Sequence, residues 1–89
     1  MSRRVIYKYE IPSEDVGIVM PKGGEVLHVG EQGGRPHAWV LVDPQDAPLV
    51  SRKLTIVGTS QLVPDAPYVG TFFNGQFVWH VFDEGEVKR

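Results

Sequence analysis

The stretch Tyr68-Val-Gly-Thr-Phe-Phe-Asn-Gly-Gln-Phe-Val-Trp-His-Val-Phe82 decides the fold. Asn74-Gly75 predicts a tight hairpin turn, because both residue types tolerate the positive φ that a two-residue loop requires. The segments on either side are rich in aromatic and β-branched residues, the composition of strands. In the second segment Phe77, Trp79 and Val81 point to one face, and Val78, His80 and Phe82 to the other. Apart from His80 both rows are apolar. An antiparallel strand of a small domain ordinarily keeps one face in water. This one is therefore expected to be covered twice, by its own core and by something else.

The same period of two recurs outward from that hairpin. Val5, Tyr7, Tyr9 and Ile11 alternate with Ile6, Lys8 and Glu10, and Val16, Ile18 and Met20 repeat the pattern. Pro21-Lys22-Gly23-Gly24 reads as a turn. Val26 to Val29 is the next strand, ended by Gly30 and the Gly33-Gly34 pair, and Trp39 to Val42 is closed by Asp43-Pro44. Leu49 to Val57 places Val50, Leu54 and Ile56 on one face and Ser51, Lys53 and Thr55 on the other. A loop with Pro64 and Pro67 leads into the final hairpin. Ser13-Glu14-Asp15 resembles a helix start, but the β-branched run behind it favours a strand with Gly17 at a bulge. Seven strand-like runs separated by turn residues predict an all-β fold, a small antiparallel β-sandwich or open barrel with little or no helix. The chain is one domain, residues 1–89, with an ordered core over about 4–83 and a frayed tail over 84–89.

Bulk composition narrows the function. A chain of 89 residues buries only roughly 60–65% of its unfolded surface, so its core is thin. It has no cysteine, hence no disulfide and no thiolate ligand. Nine basic and eleven acidic residues leave a net charge of −2, which argues against general nucleic-acid binding. Met1-Ser-Arg-Arg lacks an apolar segment behind it, so no signal peptide is expected, and no apolar run approaches the length of a membrane span.

No catalytic residue, metal site or cofactor is expected. His28, His37 and His80 lie on three different strands and would bind zinc only if those strands converged. No two of them have chelating spacing, and packed histidines are the plainer reading. The carboxylate pairs Glu14-Asp15, Asp43 with Asp46, and Asp83-Glu84 fall in turns or at the terminus, where they cap amides. Ser60 follows Gly58-Thr59, whose amides would form an anion nest, but no nucleophile elbow is present. Gly23-Gly24 and Gly33-Gly34 are explained by hairpin turns, since no helix follows to complete a phosphate cradle. If subunits associate, Lys22, Arg35 and Arg52 would line a small basic pocket for an anionic ligand.

The aromatic content is the stronger signal. Trp39, Phe72, Phe73, Phe77, Trp79 and Phe82, with Tyr7, Tyr9 and Tyr68, exceed what one face of a thin sandwich covers. Part of them forms the core; the surplus is expected to form an interface, because Trp and Tyr dominate contact hot spots. Tyr68, Phe73, Trp79 and Trp39 are the expected anchors. Burying one further ring of about 150–250 Å² at ~25 cal/mol/Å² contributes several kcal/mol. That is comparable to the whole stability of a small domain.

Several phrases carry a resemblance in order along the chain. They are Ile6-Tyr-Lys-Tyr9, Met20-Pro-Lys-Gly23, Leu27-His-Val-Gly30, Trp39 with Leu41-Val-Asp-Pro44, Ile56-Val-Gly-Thr59, Gly70-Thr-Phe72 and Phe77-Val-Trp-His-Val-Phe82. From about Ile6 to Phe82 the chain resembles a family of small phage and prophage proteins carried as a domain of unknown function. The resemblance implies a mobile-element origin, action in the bacterial host cytoplasm, a compact β domain and no assigned catalytic residue. The family pattern has a second glycine after Val-Gly-Thr, where this chain has Ser60; a site needing positive φ would strain that serine. The expected role is that of a non-enzymatic accessory protein that binds and interferes with a host protein, as a homo-oligomer. The alternatives are an oligomeric sponge for an anionic nucleotide-type defence signal, and a virion or assembly component.

Overall fold

The computed structural model describes residues 3–13, 16–45 and 47–87. Seven strands follow in order: β1 (Val5–Glu10), β2 (Ile18–Pro21), β3 (Glu25–Gln32), β4 (Arg35–Val42), β5 (Leu49–Gly58), β6 (Tyr68–Asn74) and β7 (Phe77–Glu86). They form a three-stranded sheet, β1-β4-β3, and a four-stranded sheet, β2-β5-β7-β6. Every pairing is antiparallel. The described residues contain no helix, and neither sheet closes on itself, so the fold is an open sandwich and not a barrel.

Alternation sets which residues meet between the sheets. In β4, Ala38, Val40 and Val42 are buried while Trp39 and Leu41 face outward. Their inward row packs with Val29 of β3, Met20 of β2, Leu54 of β5, Phe72 of β6 and Val81 of β7. The sheets approach closely where β6 passes β3. A Cβ on Gly70 would lie 2.6 Å from Val29 Cγ2, so only a residue without a side chain permits this spacing.

Three local expectations change. The β6–β7 hairpin forms, but its two-residue loop is Gly75-Gln76, because Asn74 still pairs with Phe77. Gly75 has φ 62°, and Asn74 stays in the strand, which fits a turn with glycine at its first central position. Second, the tail does not fray at Glu84: β7 runs to Glu86, and the Val87 amide donates to the Ser51 carbonyl. A bulge opposite Lys53 and Leu54, with Gly85 at φ 83°, lets pairing resume after Asp83. Third, β2 begins at Ile18, and Gly17 is not a bulge but a close approach to the Ser51 side chain. The helix-like Glu14-Asp15 lies outside the described residues.

Ser60 has φ 76°, the left-handed region, where glycine is the least strained residue. Ser60→Gly is expected to raise stability by about 0.5–1 kcal/mol, the relief of Cβ strain less glycine's larger unfolded-state entropy. Urea denaturation checks this: the midpoint rises and the slope stays unchanged.

Candidate functional site

The β6–β7 hairpin outruns its sheet. β5 pairs with β7 only as far as Gly58 opposite Trp79, whereas β6 continues to Asn74 opposite Phe77. The hairpin end of β7 is thus flanked by one neighbour, where its middle, from Trp79 to Phe82, has two. Strand alternation then puts Phe73 and Val78 on the outer face and Phe77 and Trp79 on the inner one. Phe73 is 69% exposed and Phe77 56%. Phe77 stacks on Trp79 with ring centroids 6.0 Å apart. Trp79 itself packs against the edge of the core.

Trp79 is a wall shared by two hollows. On one side a cleft of about 450 Å³ opens between the sheets, floored by Leu54, Ile56 and Phe72 and closed opposite by Pro12, Val16 and Pro36. Its polar rim is Ser13, Lys53, Thr55 and Asn74. On the other side lies a second hollow bounded by Gly58, Thr59, Gln61, Gln76, Phe77 and Val78. An apolar cleft of this size with a few rim donors is the usual form of a small-ligand or side-chain pocket.

The expected anchors fall on three different surfaces. Tyr68 and Phe73 are on the outer face of the four-stranded sheet. Trp79 is on the inner face, and Trp39 is on the outer face of the opposite sheet, with the rings of His28 and His37 at 5.5 and 6.2 Å. Phe73 and Trp79 share the hairpin end but on opposite faces of it, so they form no common surface, and Trp39 lies on the other sheet. Tyr68 packs edge-on against Phe82 and bonds to the Thr71 hydroxyl. That hydroxyl reaches His80 Nδ1 at 3.0 Å, and Thr59 Oγ1 reaches His80 Nε2 at 3.0 Å. Both ring nitrogens of His80 are thereby engaged by hydroxyls. Among the described residues no three His, Asp or Glu side chains gather as a metal site. Phe77, Leu54 and Ile56 were not among the expected site residues; Phe77 shares the parity of Trp79, which was the available signal.

Of the three cations expected around an anion, Lys22 and Arg52 both lie beside Glu86 while Arg35 is on the other sheet, and all three are already paired. Lys22 Nζ is 3.3 Å from Glu86, and Arg35 Nη1 is 3.4 Å from Glu10. Arg52 donates from Nε to Asp83 Oδ1 at 3.0 Å and from Nη1 to the Gly24 carbonyl at 2.9 Å. Its ion pair with Asp83 is largely removed from water, with side chains 17% and 12% exposed. Burial would raise the Asp83 carboxyl, but hydrogen bonds from Arg52 and the Gly85 amide, with the guanidinium charge, outweigh it and hold the carboxyl below its ordinary value. Arg52 is held above its own, chiefly by the hydrogen bond to Asp83. This pair braces the bulge that carries β7 past Leu54.

Fold and site together define a small open all-β sandwich with an aromatic-walled cleft at one end. Residues 2–89 match the family model described as a domain of unknown function, DUF7352, and the chain belongs to that family. No curated protein and no solved structure matches it.

Proposed function

We propose that this chain is a non-enzymatic binding protein that engages a partner protein through the β6–β7 hairpin end. The observation carrying this reading is the pair of exposed rings, Phe73 and Phe77, on opposite faces of a projecting hairpin beside an apolar cleft. Left in water these rings forgo roughly 1.5–3 kcal/mol each of burial. A partner that grips the hairpin covers both, and one apolar side chain of that partner fills the cleft against Trp79. Aromatic anchors beside a pocket are the usual centre of a binding hot spot. The resemblance to phage and prophage proteins supplies the setting: the host cytoplasm, with a host protein as the partner and interference as the outcome.

Affinity purification from bacterial lysate tests this, comparing the wild-type chain with Phe73→Ser/Phe77→Ser. The wild type is expected to retain a specific protein that the variant loses by at least tenfold. Equal recovery by both, with the variant's β-sheet circular dichroism intact, removes the hairpin end from the function.

A second reading is favoured by the cleft volume alone: a small aromatic ligand, such as the base of a nucleotide, stacked on Trp79 with Lys53 at the rim. Thermal-shift screening against cyclic and ADP-ribose-type nucleotides separates the two, because a bound ligand raises the melting temperature.

A further inference from the structure

Four strands lie at sheet edges, and three of them carry features that block further pairing. β2 has four residues and ends in Pro21. β3 is bulged between Val26 and His28, and β6 between Tyr68 and Gly70. β1 has none of these features. Its six residues pair with β4 without interruption and contain no proline. Its inward row is also poorly covered, with Val5 41% and Tyr7 43% exposed although both face the same side as the buried Val40 and Val42. The sandwich is open beneath this strand.

The hydrogen-bond phase of β1 follows from one bond. The Ile11 amide donates to the Pro36 carbonyl, continuing the register of Glu10 opposite His37. In an antiparallel ladder the bonded pairs alternate, so Tyr9, Tyr7 and Val5 also turn their amides and carbonyls toward β4. Those of Ile6, Lys8 and Glu10 therefore face the open edge. A second copy pairing antiparallel through a two-fold axis must use these residues. An axis at Tyr9 sets Lys8 against Glu10 but places Ile6 opposite Pro12, which has no amide to donate, and leaves most of β1 unpaired. The axes that use the strand more fully are Ile6, Tyr7 and Lys8. An axis at Lys8 sets Lys8 directly against Lys8. An axis at Ile6 sets Lys8 against Arg4. An axis at Tyr7 sets Ile6 against Lys8 and Arg4 against Glu10, and aligns Val5 with Tyr9 and Tyr7 with Tyr7 along the inner face. Like charges directly opposite are destabilising and unlike ones favourable, so this register is selected.

The geometry points to a homodimer in which two β1 strands pair about Tyr7, fusing the three-stranded sheets into one continuous sheet of six. It goes beyond the partner-binding reading and uses a different surface, so either fails without the other. The dimer covers the open edge, completes the inner apolar row, and leaves both hairpin ends free for partners.

The chain has no cysteine, which makes cross-linking a clean test of register. Tyr7 faces its own copy as a non-hydrogen-bonded pair, with Cα atoms about 4.5 Å apart, inside the about 4.4–6.8 Å range a disulfide spans. Tyr7→Cys is expected to form disulfide-linked dimers under mild oxidation at least tenfold faster than Lys8→Cys, whose copies are offset. Adding Lys8→Pro to Tyr7→Cys removes an edge-facing amide and none that bonds to β4. Cross-linking is then expected to fall to the Lys8→Cys level, with the β-sheet circular dichroism unchanged. Faster linking of Lys8→Cys, equal linking of the two, or no linking of a folded Tyr7→Cys chain overturns the proposal.

Discussion

Asp83→Leu is expected to cost about 3 kcal/mol, near the lower end of the range for breaking a buried ion pair. The loss is large because Arg52 cannot follow its lost partner into solvent. Its guanidinium is held in place by the Gly24 carbonyl and flanked by the core-facing side of β5. It would be left as a partly buried charge with one neutral acceptor and only the more weakly coupled Glu86 carboxylate. Arg52→Leu is expected to cost somewhat less, since an orphaned Asp83 keeps the Gly85 amide. The double variant Arg52→Leu/Asp83→Leu should recover much of the loss, because apolar side chains of similar size replace the pair without an orphaned charge. A coupling of about 2 kcal/mol or more in the double-mutant cycle is the expected signature. Single variants costing under 1 kcal/mol would show that water reaches the pair.

The same pair sets an acid limit. The Asp83 carboxyl is lower in the folded protein than in the unfolded chain, where it is about 3.9. Its contribution is therefore complete above that unfolded value and is lost as pH falls through the folded one. Arg52 is raised and stays charged throughout this window. Wild-type stability is expected to decline below about pH 4 more steeply than that of Asp83→Asn, measured by thermal unfolding from neutral to acid pH.

Gly70→Ala is the second large effect, a destabilisation of about 1–3 kcal/mol from overpacking. The added methyl would meet Val29 Cγ2 at 2.6 Å, and valine is too stiff at χ1 to swing aside easily. Relief requires the two sheets to part where β3 passes β6. Val29→Ala alone also destabilises, by opening a cavity. Combined, each change fills or vacates the space the other needs, so Gly70→Ala/Val29→Ala should cost less than the sum of the single variants. Additive costs would mean that the sheets do not meet at this point.

These two sites differ in how far the sequence announces them. Strand existence was legible throughout, because alternation in runs such as Val5 to Ile11 and Leu49 to Val57 is a local property. The two-sheet order was not, since β5-β7-β6 pairing with β2 at its edge depends on which apolar rows find one another. Gly70 reads as an ordinary strand glycine until β3 is seen to lie across it. Arg52 alternates in phase with Val50 and Leu54, but nothing local says that a bulge at Gly85 brings Asp83 beside it. The candidate site was half legible. The aromatic surplus marks Tyr68, Phe73 and Trp79 as anchors of one interface, but Trp79 falls on the inner face of the hairpin and Phe73 and Tyr68 on the outer one, and Trp39 belongs to the far sheet. Phe77, in phase with Trp79, lines the second hollow. A turn displaced by one residue, from Asn74-Gly75 to Gly75-Gln76, changes no face in either strand, so the facing pattern of β7 does not depend on it.

Both the hairpin end and the β1 edge present apolar surface that one copy of the chain does not cover. Sedimentation velocity over a hundredfold range of concentration measures this most directly. A shift from the mass of one chain to twice that mass, abolished by Lys8→Pro, is the predicted result. A single species of one chain's mass at every concentration up to the solubility limit would contradict it.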